Sequence, residues 1–252
     1  MQLQKQLKIL LIGDSCTDEY VYGTCERLNP EAPVPILKFN RKEITKGMAW
    51  NVRENLMSFG MEVYIITNQE SITKTRYIDE KSNQHILRVD EEDLCDPMEL
   101  VYGYELPEDE YDALVISDYD KGFLTTKKIQ ELVDWFDGPV FIDSKKTKLP
   151  KKDCYLKINE IESKLLKGYK NLIVTKGAGG ADYNKVNYPG EKTKIVDVVG
   201  AGDTFLSALV YFYLLYDKIE KAIPYANKAA AIAVQNFGTY VLTEKDVQHL
   251  RD

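Results

Sequence analysis

A stretch near the C-terminal end of the chain, Asp197 to Phe205 (D-V-V-G-A-G-D-T-F), joins an acidic side chain to a run with almost no side chains. Gly200, Ala201 and Gly202 lead into an apolar segment without Pro or Gly, which predicts a tight loop that enters a helix. The N–H groups at a helix start attract anions, so a phosphate would fit there. Asp203 could be a general base for a hydroxyl that attacks the phosphate, or only an acidic residue of a first helical turn. This stretch alone does not decide between the two.

Polar residues also follow several predicted strands at the point where each strand ends. Leu7 to Ile12 is typical of a buried parallel strand, and Asp14 and Asp18 come after it. Ligands of open α/β sheets bind at such ends, where carboxylates accept hydrogen bonds from a polyol, although Asp14 could instead only shape the turn. The same pattern recurs at Asp118 and Lys121, Asp143 and Lys145, Asn159 and Glu162, and Thr175 and Gly177. The recurrence indicates a site along one edge of the sheet.

Three basic side chains lie in two segments that alternate polar and apolar residues. Lys74 and Arg76 belong to the first segment, and Arg88 belongs to the second. We expect them to share or flank one polar face of two half-exposed strands. Cations there would bind an anionic substrate, or would simply belong to a solvated face.

The elements that must position these residues follow the order of an α/β fold. Strands are predicted over 7–12, 63–67, 113–117, 140–143, 154–158 and 172–175, with helices over 47–59, 125–136, 160–166, 205–216, 219–236 and 244–251 and a hairpin over 180–196. This alternation predicts a mostly parallel sheet with helices on both faces. Asn51, one turn into the first helix, could face a ligand or be an ordinary capping or solvated residue.

Proline-containing segments indicate a small β lid beside the main sheet. Prolines confine strands to an edge, so we expect the lid to come from about 19–40 and 73–90 within a single domain that spans 1–252. The Ala-rich segment Ala226 to Val234 would pack closely against another helix or against an adenine ring.

Composition excludes several classes of protein. The formal charge of −7 argues against a nucleic-acid partner, because phosphate backbones are bound through clustered Lys and Arg. The four cysteines are scattered and have no zinc-site spacing. No apolar run is long enough for a signal peptide or a bilayer span, so we expect a cytoplasmic protein without a membrane partner.

Several motifs together resemble one family, the pfkB (ribokinase-like) carbohydrate kinases. The segment D-V-V-G-A-G-D-T-F is similar to the second signature of that family. The segment N-E-I-E (159–162) is similar to its magnesium motif N-x-x-E, and T-K-G-A-G-G (175–180) is similar to its nucleotide-binding loop. Within that family the sequence resembles the kinase half of the heptose-phosphate enzymes of lipopolysaccharide synthesis. That likeness is carried by G-D-S-C-T-D-E-Y-V-Y-G, L-N-P-E-A-P-V-P, S-D-Y-D-K-G and the spaced K-T-R and H-I-L-R-V-D.

The resemblance implies an ATP- and Mg²⁺-dependent kinase for a sugar or sugar phosphate, first of all heptose 7-phosphate at its anomeric hydroxyl. It implies a homodimer through the β lid. Asp203 would be the catalytic base beside an anion hole of Gly200, Ala201 and Gly202. The other implied roles are acceptor binding by Asp14, Asp18, Gly47, Asn51, Lys74, Arg76, Arg88, Asp118 and Lys121, nucleotide binding by Asn159, Glu162, Thr175, Gly177 and Asn227, and metal binding by Glu162.

Two departures from the family pattern bear on the substrate. Met48 stands where the first signature has its second glycine, with bulky Trp50 close by, and the chain between Thr67 and Thr73 is shorter by about a strand, a helix and a strand. A kinase for another sugar, nucleoside or small alcohol therefore stays open. So does a non-catalytic relative that binds nucleotide or sugar.

Overall fold

The computed structural model describes residues 6–91, 94–99, 110–151, 153–166 and 168–251. The strands are β1 (Lys8–Gly13), β2 (Ser15–Leu28), β3 (Pro35–Met48), β4 (Glu62–Thr67), β5 (Thr73–Asp79), β6 (Gln84–Glu91), β7 (Ala113–Asp118), β8 (Val140–Ser144), β9 (Tyr155–Asn159), β10 (Leu172–Thr175), β11 (Ala181–Tyr183) and β12 (Val186–Tyr188). The helices are α1 (Ala49–Ser58), α2 (Thr126–Trp135), α3 (Glu160–Ser163), α4 (Ala201–Tyr216), α5 (Ile219–Ala233) and α6 (Glu244–Arg251), with one 3₁₀ turn, Gly177–Gly179.

The larger sheet has eight strands in the order β12-β11-β10-β9-β8-β7-β1-β4. Its strands from β4 to β10 pair in parallel, and β11 and β12 form an antiparallel hairpin at one edge. β1 and β7 are apolar on both faces because one core lies between the sheet and helices α1, α4 and α5, and another lies between its opposite face and α2. The predicted fold class, a mostly parallel sheet covered on both faces, is confirmed.

The smaller sheet has four strands in the order β3-β2-β5-β6 and corresponds to the predicted lid. Pro35 begins the edge strand β3, where a missing N–H costs no ladder hydrogen bond. The predicted segment ended near residue 40, but β3 continues to Met48 and β2 begins already at Ser15. The sequence did not reveal this extension because residues 40–46 are exposed, so no apolar alternation marks them.

Other predicted boundaries also differ from the observed ones. The helix predicted over 205–216 begins already at Ala201. The helix predicted over 160–166 is only the four-residue α3, and the helix predicted over 219–236 ends at Ala233. The hairpin predicted over 180–196 is shorter, because its two strands, β11 and β12, end at Tyr188.

β4 forms an edge of the larger sheet, and only residues 68–72 separate it from β5 of the lid. The shortened segment thus connects the two sheets directly. Within the described ranges, no helix has the length and apolar character needed to cross a bilayer.

Candidate active site

The start of α4 forms an open helix N-terminus, as the stretch of small residues predicted. Gly200 precedes the helix with a φ of 76°, and a Cβ there would lie 2.8 Å from Nδ2 of Asn51, so conformation and space both require glycine. No side chain caps α4. Over the part of the chain that the structure describes, the N–H groups of Gly202 and Asp203 have no acceptor. This turn can bind an anion.

Asp203 lies in the first turn of α4 and is only 3% exposed. Its two carboxylate oxygens accept hydrogen bonds from Nδ2 of Asn51 (2.9 Å) and from the Tyr119 hydroxyl (2.7 Å). Burial raises the pKa of Asp203 to about 6, because desolvation outweighs these two hydrogen bonds. Asp203 is therefore mostly ionised at neutral pH and basic enough to accept a proton from a hydroxyl group.

Asn51 reaches Asp203 because α1 begins directly at the end of β3. The connection passes through Met48, whose φ of 58° and ψ of −127° fall in a region that only glycine adopts readily. The Met48 side chain is buried against Cys16 and Ile72. Met48 therefore adopts a strained backbone conformation directly before α1.

Tyr119 was not among the predicted site residues. It lies in the loop after β7, and Asp14 holds that loop by accepting the N–H groups of Tyr119 (2.6 Å) and Lys121 (3.4 Å) on one carboxylate oxygen. Asp14 is fully buried, and burial, followed by the charge of Asp118, raises its pKa to about 6. Asp14 thus shapes this turn, which was one of its two predicted roles. Its predicted contact with an acceptor stays a prediction. The only sequence signal for Tyr119 was an aromatic residue inside the polar motif S-D-Y-D-K-G.

Asp118 and Lys121 serve the same loop. Asp118 is buried and accepts hydrogen bonds from the Ser144 hydroxyl and from Nζ of Lys146 (3.0 Å). The backbone carbonyl of Lys121 accepts the N–H of Cys95 (2.8 Å). The Asp118 contacts hold the carboxyl ends of β7 and β8 together. The predicted contact of Asp118 and Lys121 with an acceptor stays a prediction.

The three basic residues of the lid share one face, as predicted, because Arg76 and Arg88 are register partners and Lys74 lies two residues from Arg76. Their surroundings differ. Arg76 is buried and ion-paired with Asp18 (2.5 Å), whose carboxylate lies against Gly47. Arg88 is exposed and paired with Asp90. Lys74 lies 5.7 Å from the ring centroid of Tyr119 and forms no ion pair among the described residues.

The motif N-E-I-E forms the N-terminal cap of α3. The Asn159 side chain accepts the N–H of Glu162 (2.9 Å), and the Glu162 carboxylate accepts the N–H of Asn159 (2.8 Å), which is a complete capping box. The other carboxylate oxygen of Glu162 binds Nζ of Lys145 (2.5 Å). Burial lowers the pKa of Lys145, but Glu162 and Asp143 more than compensate, so the net shift is upward. Among the described residues, no three His, Cys, Asp or Glu side chains form a metal-binding group.

A cavity of about 390 Å³ opens beside the start of α4. Its walls include the predicted residues Thr175, Gly177 and Asn227, then Ala230 and Ala231 of α5 with Val234 directly after that helix, and Ala201, Gly202 and Phe205 of α4. Nδ2 of Asn227 donates to the carbonyls of Tyr188 (2.9 Å) and Pro189 (3.2 Å) and so fixes one wall. In the Ala-rich segment, Ala226 and Ala229 pack in the core, as predicted for packing against a helix, while Ala230 and Ala231 line the cavity. Packing of this segment against an adenine ring stays a prediction.

The first turn of α4 therefore separates two environments. Gly202 faces the cavity, and Asp203 faces Asn51 and Tyr119.

Lys157, like Tyr119, was not among the predicted site residues. It lies inside β9, is buried, and binds Asp143 of β8 through Nζ (2.6 Å). A lysine within an apolar strand was the signal for it.

Known proteins resemble the chain in sequence. Residues 149–246 match the family model described as pfkB family carbohydrate kinase. A curated relative, the bifunctional protein HldE of a Nitratiruptor species, is 30% identical over 299 residues, which covers 96% of this chain and 64% of the relative. The chain thus spans less than two thirds of that relative. The alignment is longer than the 252 residues of this chain, so the relative contains segments that this chain lacks.

Solved structures resemble the chain in fold. Ribokinase from Thermotoga maritima has a TM-score of 0.72 at 19% identity, covering 97% of this chain and 99% of that one. Ribokinase from Arabidopsis thaliana, complexed with ribose and ATP, has a TM-score of 0.70 at 14% identity, covering 97% and 98%. These likenesses confirm the predicted ribokinase-like fold.

Proposed function

We propose a function from the family to which the chain belongs, the pfkB carbohydrate kinases, which are phosphotransferases with an alcohol acceptor. The chain transfers the γ-phosphoryl group of ATP to a sugar phosphate. The first candidate for this acceptor is heptose 7-phosphate, at its anomeric hydroxyl. One observation carries the proposal. Asp203, a buried carboxylate with a pKa near 6, stands at an uncapped helix N-terminus that also borders the cavity. A base and an anion site thus meet at one turn.

The residues on the two sides of that turn would bind different substrates. The cavity beside Gly177 and α5 would hold the nucleotide, with the phosphates directed toward the N–H groups of Gly202 and Asp203. The acceptor would approach from the side of Asn51 and Tyr119, where Asp203 takes the proton of the attacking hydroxyl. The N–H groups then stabilise the charge on the oxygens of the transferring group.

The residues present fit the two groups that this chemistry requires. The mostly apolar cavity suits an adenine and a ribose, and ATP supplies the phosphoryl group when it is bound. Mg²⁺ usually binds proteins through one or two carboxylates together with phosphate oxygens and water. Glu162 would supply such a carboxylate, in competition with its ion pair to Lys145.

The acceptor is the finer part of the proposal. The motif resemblance to the heptose-phosphate kinases and the relative named HldE support a sugar that already carries a phosphate. Lys74 is a suitable partner for that phosphate, since it lies near Tyr119 and forms no ion pair among the described residues. Arg76 could contribute only while it also neutralises the buried Asp18.

We further propose that the lid joins two copies of the chain, because it exposes large apolar side chains such as Phe39 and Ile44. The proposed setting is the cytoplasm, and the proposed domain spans all 252 residues.

A non-catalytic relative is the second candidate. Both oxygens of Asp203 are already hydrogen-bonded, and Met48 stands where the family's first signature has its second glycine. A protein that binds ATP without passing the phosphoryl group to any acceptor would fit these contacts.

The experiment is an acceptor screen that measures ADP formation with heptose 7-phosphate, unphosphorylated sugars, other sugar phosphates and nucleosides. We expect turnover to be highest with a phosphorylated sugar and to fall by roughly a thousand-fold or more in Asp203→Asn, since the base is lost. Activity confined to unphosphorylated acceptors would refute the sugar-phosphate assignment. Tight ATP binding without transfer to any acceptor would establish the second candidate instead.

A further inference from the structure

We propose that Lys157 is a catalytic residue that contacts the phosphoryl group during transfer, from the side of the anion hole that faces the sheet. The inference rests on the proposed kinase function and adds a cation to the donors at the start of α4.

The ammonium group of Lys157 lies directly against the first turn of α4. A Cβ on Gly202 would be 2.8 Å from Nζ of Lys157, so even a methyl group at that position would collide with it. Gly202 borders the cavity, and its N–H has no acceptor over the described ranges. The ammonium group therefore lies beside the turn whose free N–H groups form the proposed anion site.

The ammonium group of Lys157 has unused hydrogen-bond donors. An ammonium group has three donors, and Asp143, the register partner of Lys157 on the neighbouring strand, accepts one of them at 2.6 Å. Within the described part of the chain, no other acceptor binds Nζ of Lys157. Two donors thus remain for the non-bridging oxygens of a phosphoryl group.

A purely structural role explains this pair poorly. Lys157 is 6% exposed and Asp143 8%, and removing two charges from water usually costs more than their attraction returns. Two apolar residues would hold β8 and β9 together at least as well. Asp143 thus acts as a positioning residue that keeps the ammonium group beside the turn.

The chemistry balances without a further reactant. The bond from phosphorus to the bridging oxygen of ADP breaks, the bond to the acceptor oxygen forms, and the acceptor proton passes to Asp203. Lys157 keeps its proton and donates hydrogen bonds to the oxygens of the transferring group, where charge accumulates.

The test measures the binding of ATP and of ADP by calorimetry without acceptor, together with turnover. In Lys157→Met we expect ATP to bind about ten-fold or more weakly, because a charged hydrogen bond to the terminal phosphate is lost, while ADP binding changes less than about two-fold. Turnover should fall by about a hundred-fold or more. A variant that keeps both the preference for ATP and the turnover would overturn the proposal, as would equal weakening of the two nucleotides.

The double variant Lys157→Met/Asp143→Leu separates the catalytic role from the structural one and removes the unpaired carboxylate that could prevent folding. We expect it to remain as defective as the single variant. Recovery of ATP preference and turnover in the double variant would show that Lys157 only neutralises Asp143. Lys128→Met is the matched control, since it removes a buried lysine on α2, across the sheet from α4. A wild-type protein that transfers no phosphate to any acceptor would instead refute the kinase function itself.

Discussion

The hydrogen bond from Tyr119 to Asp203 sets the pH range in which the proposed base is ionised. At 2.7 Å it joins a neutral donor to a charged acceptor, an interaction worth about 1.5–3 kcal/mol. Tyr119→Phe removes it and disfavours the ionised carboxylate, which corresponds to a rise in pKa of about one to two units. The pKa of Asp203 would then move from about 6 to roughly 7–8.

The assay is kcat/KM against pH for both proteins, because its acidic limb reports the pKa of the base in the free enzyme. We expect the limb to move to higher pH in Tyr119→Phe, with a loss of roughly two- to ten-fold at pH 7 and little loss at pH 9. Tyr64→Phe, which removes the hydroxyl of an exposed tyrosine, should leave the profile unchanged. An unmoved limb with a uniformly lower plateau would refute the reasoning, since Tyr119 would then act on something other than the ionisation of Asp203.

Two further predictions concern stability. The raised pKa of Asp203 means that the fold favours its protonated form, so the stability that this group contributes is fully present below about pH 4 and is lost as the pH rises through about 6. The unfolding free energy of Asp203→Asn should therefore exceed that of the wild type by about 1–3 kcal/mol at pH 7.5 and equal it at pH 4. A difference that does not change with pH in urea titrations would contradict this prediction. Met48→Gly should be more stable than Met48→Ala by about 1–3 kcal/mol, because both lose the buried side chain but only glycine relieves the φ of 58°, and the usual order, with alanine the more stable, would show that the backbone there is not strained.

The sequence was most informative where a signal is local. The start of α4 could be predicted because small residues next to an uninterrupted apolar run specify a loop and a helix over a few positions. The parallel sheet could be predicted because buried strands such as β7 are apolar throughout. The full length of β3 could not, since an exposed edge strand leaves no apolar pattern.

The contacts of the site depend on the tertiary fold. Tyr119 and Asp203 are 84 positions apart, and their hydrogen bond exists only because the chain folds β7 and α4 onto the same edge of the sheet. Lys157 could be recognised as unusual in a strand, but its approach to Gly202 follows from the packing of α4 over β9. Residue type and spacing therefore identified the turn and its carboxylate, but not the two side chains that tune them.

The carboxyl edge of the sheet contains more carboxylates than the proposed chemistry uses, and their partners distinguish the roles. Asp14 accepts backbone N–H groups of the loop after β7, and Asp118 binds Lys146 beside the same loop, so both secure the backbone that presents Tyr119. Asp143 is paired with Lys157, which it holds beside the anion site. Asp203 differs from all three, because its hydrogen bonds come from two neutral side chains and it lies in the helix turn that borders the cavity. Burial raises the pKa of Asp14 and of Asp203 alike to about 6, so basicity alone does not separate these two carboxylates. Position does, because Asp203 lies in the helix turn that borders the cavity, whereas Asp14 binds the loop after β7, and this is why Asp203 is suited to be the base.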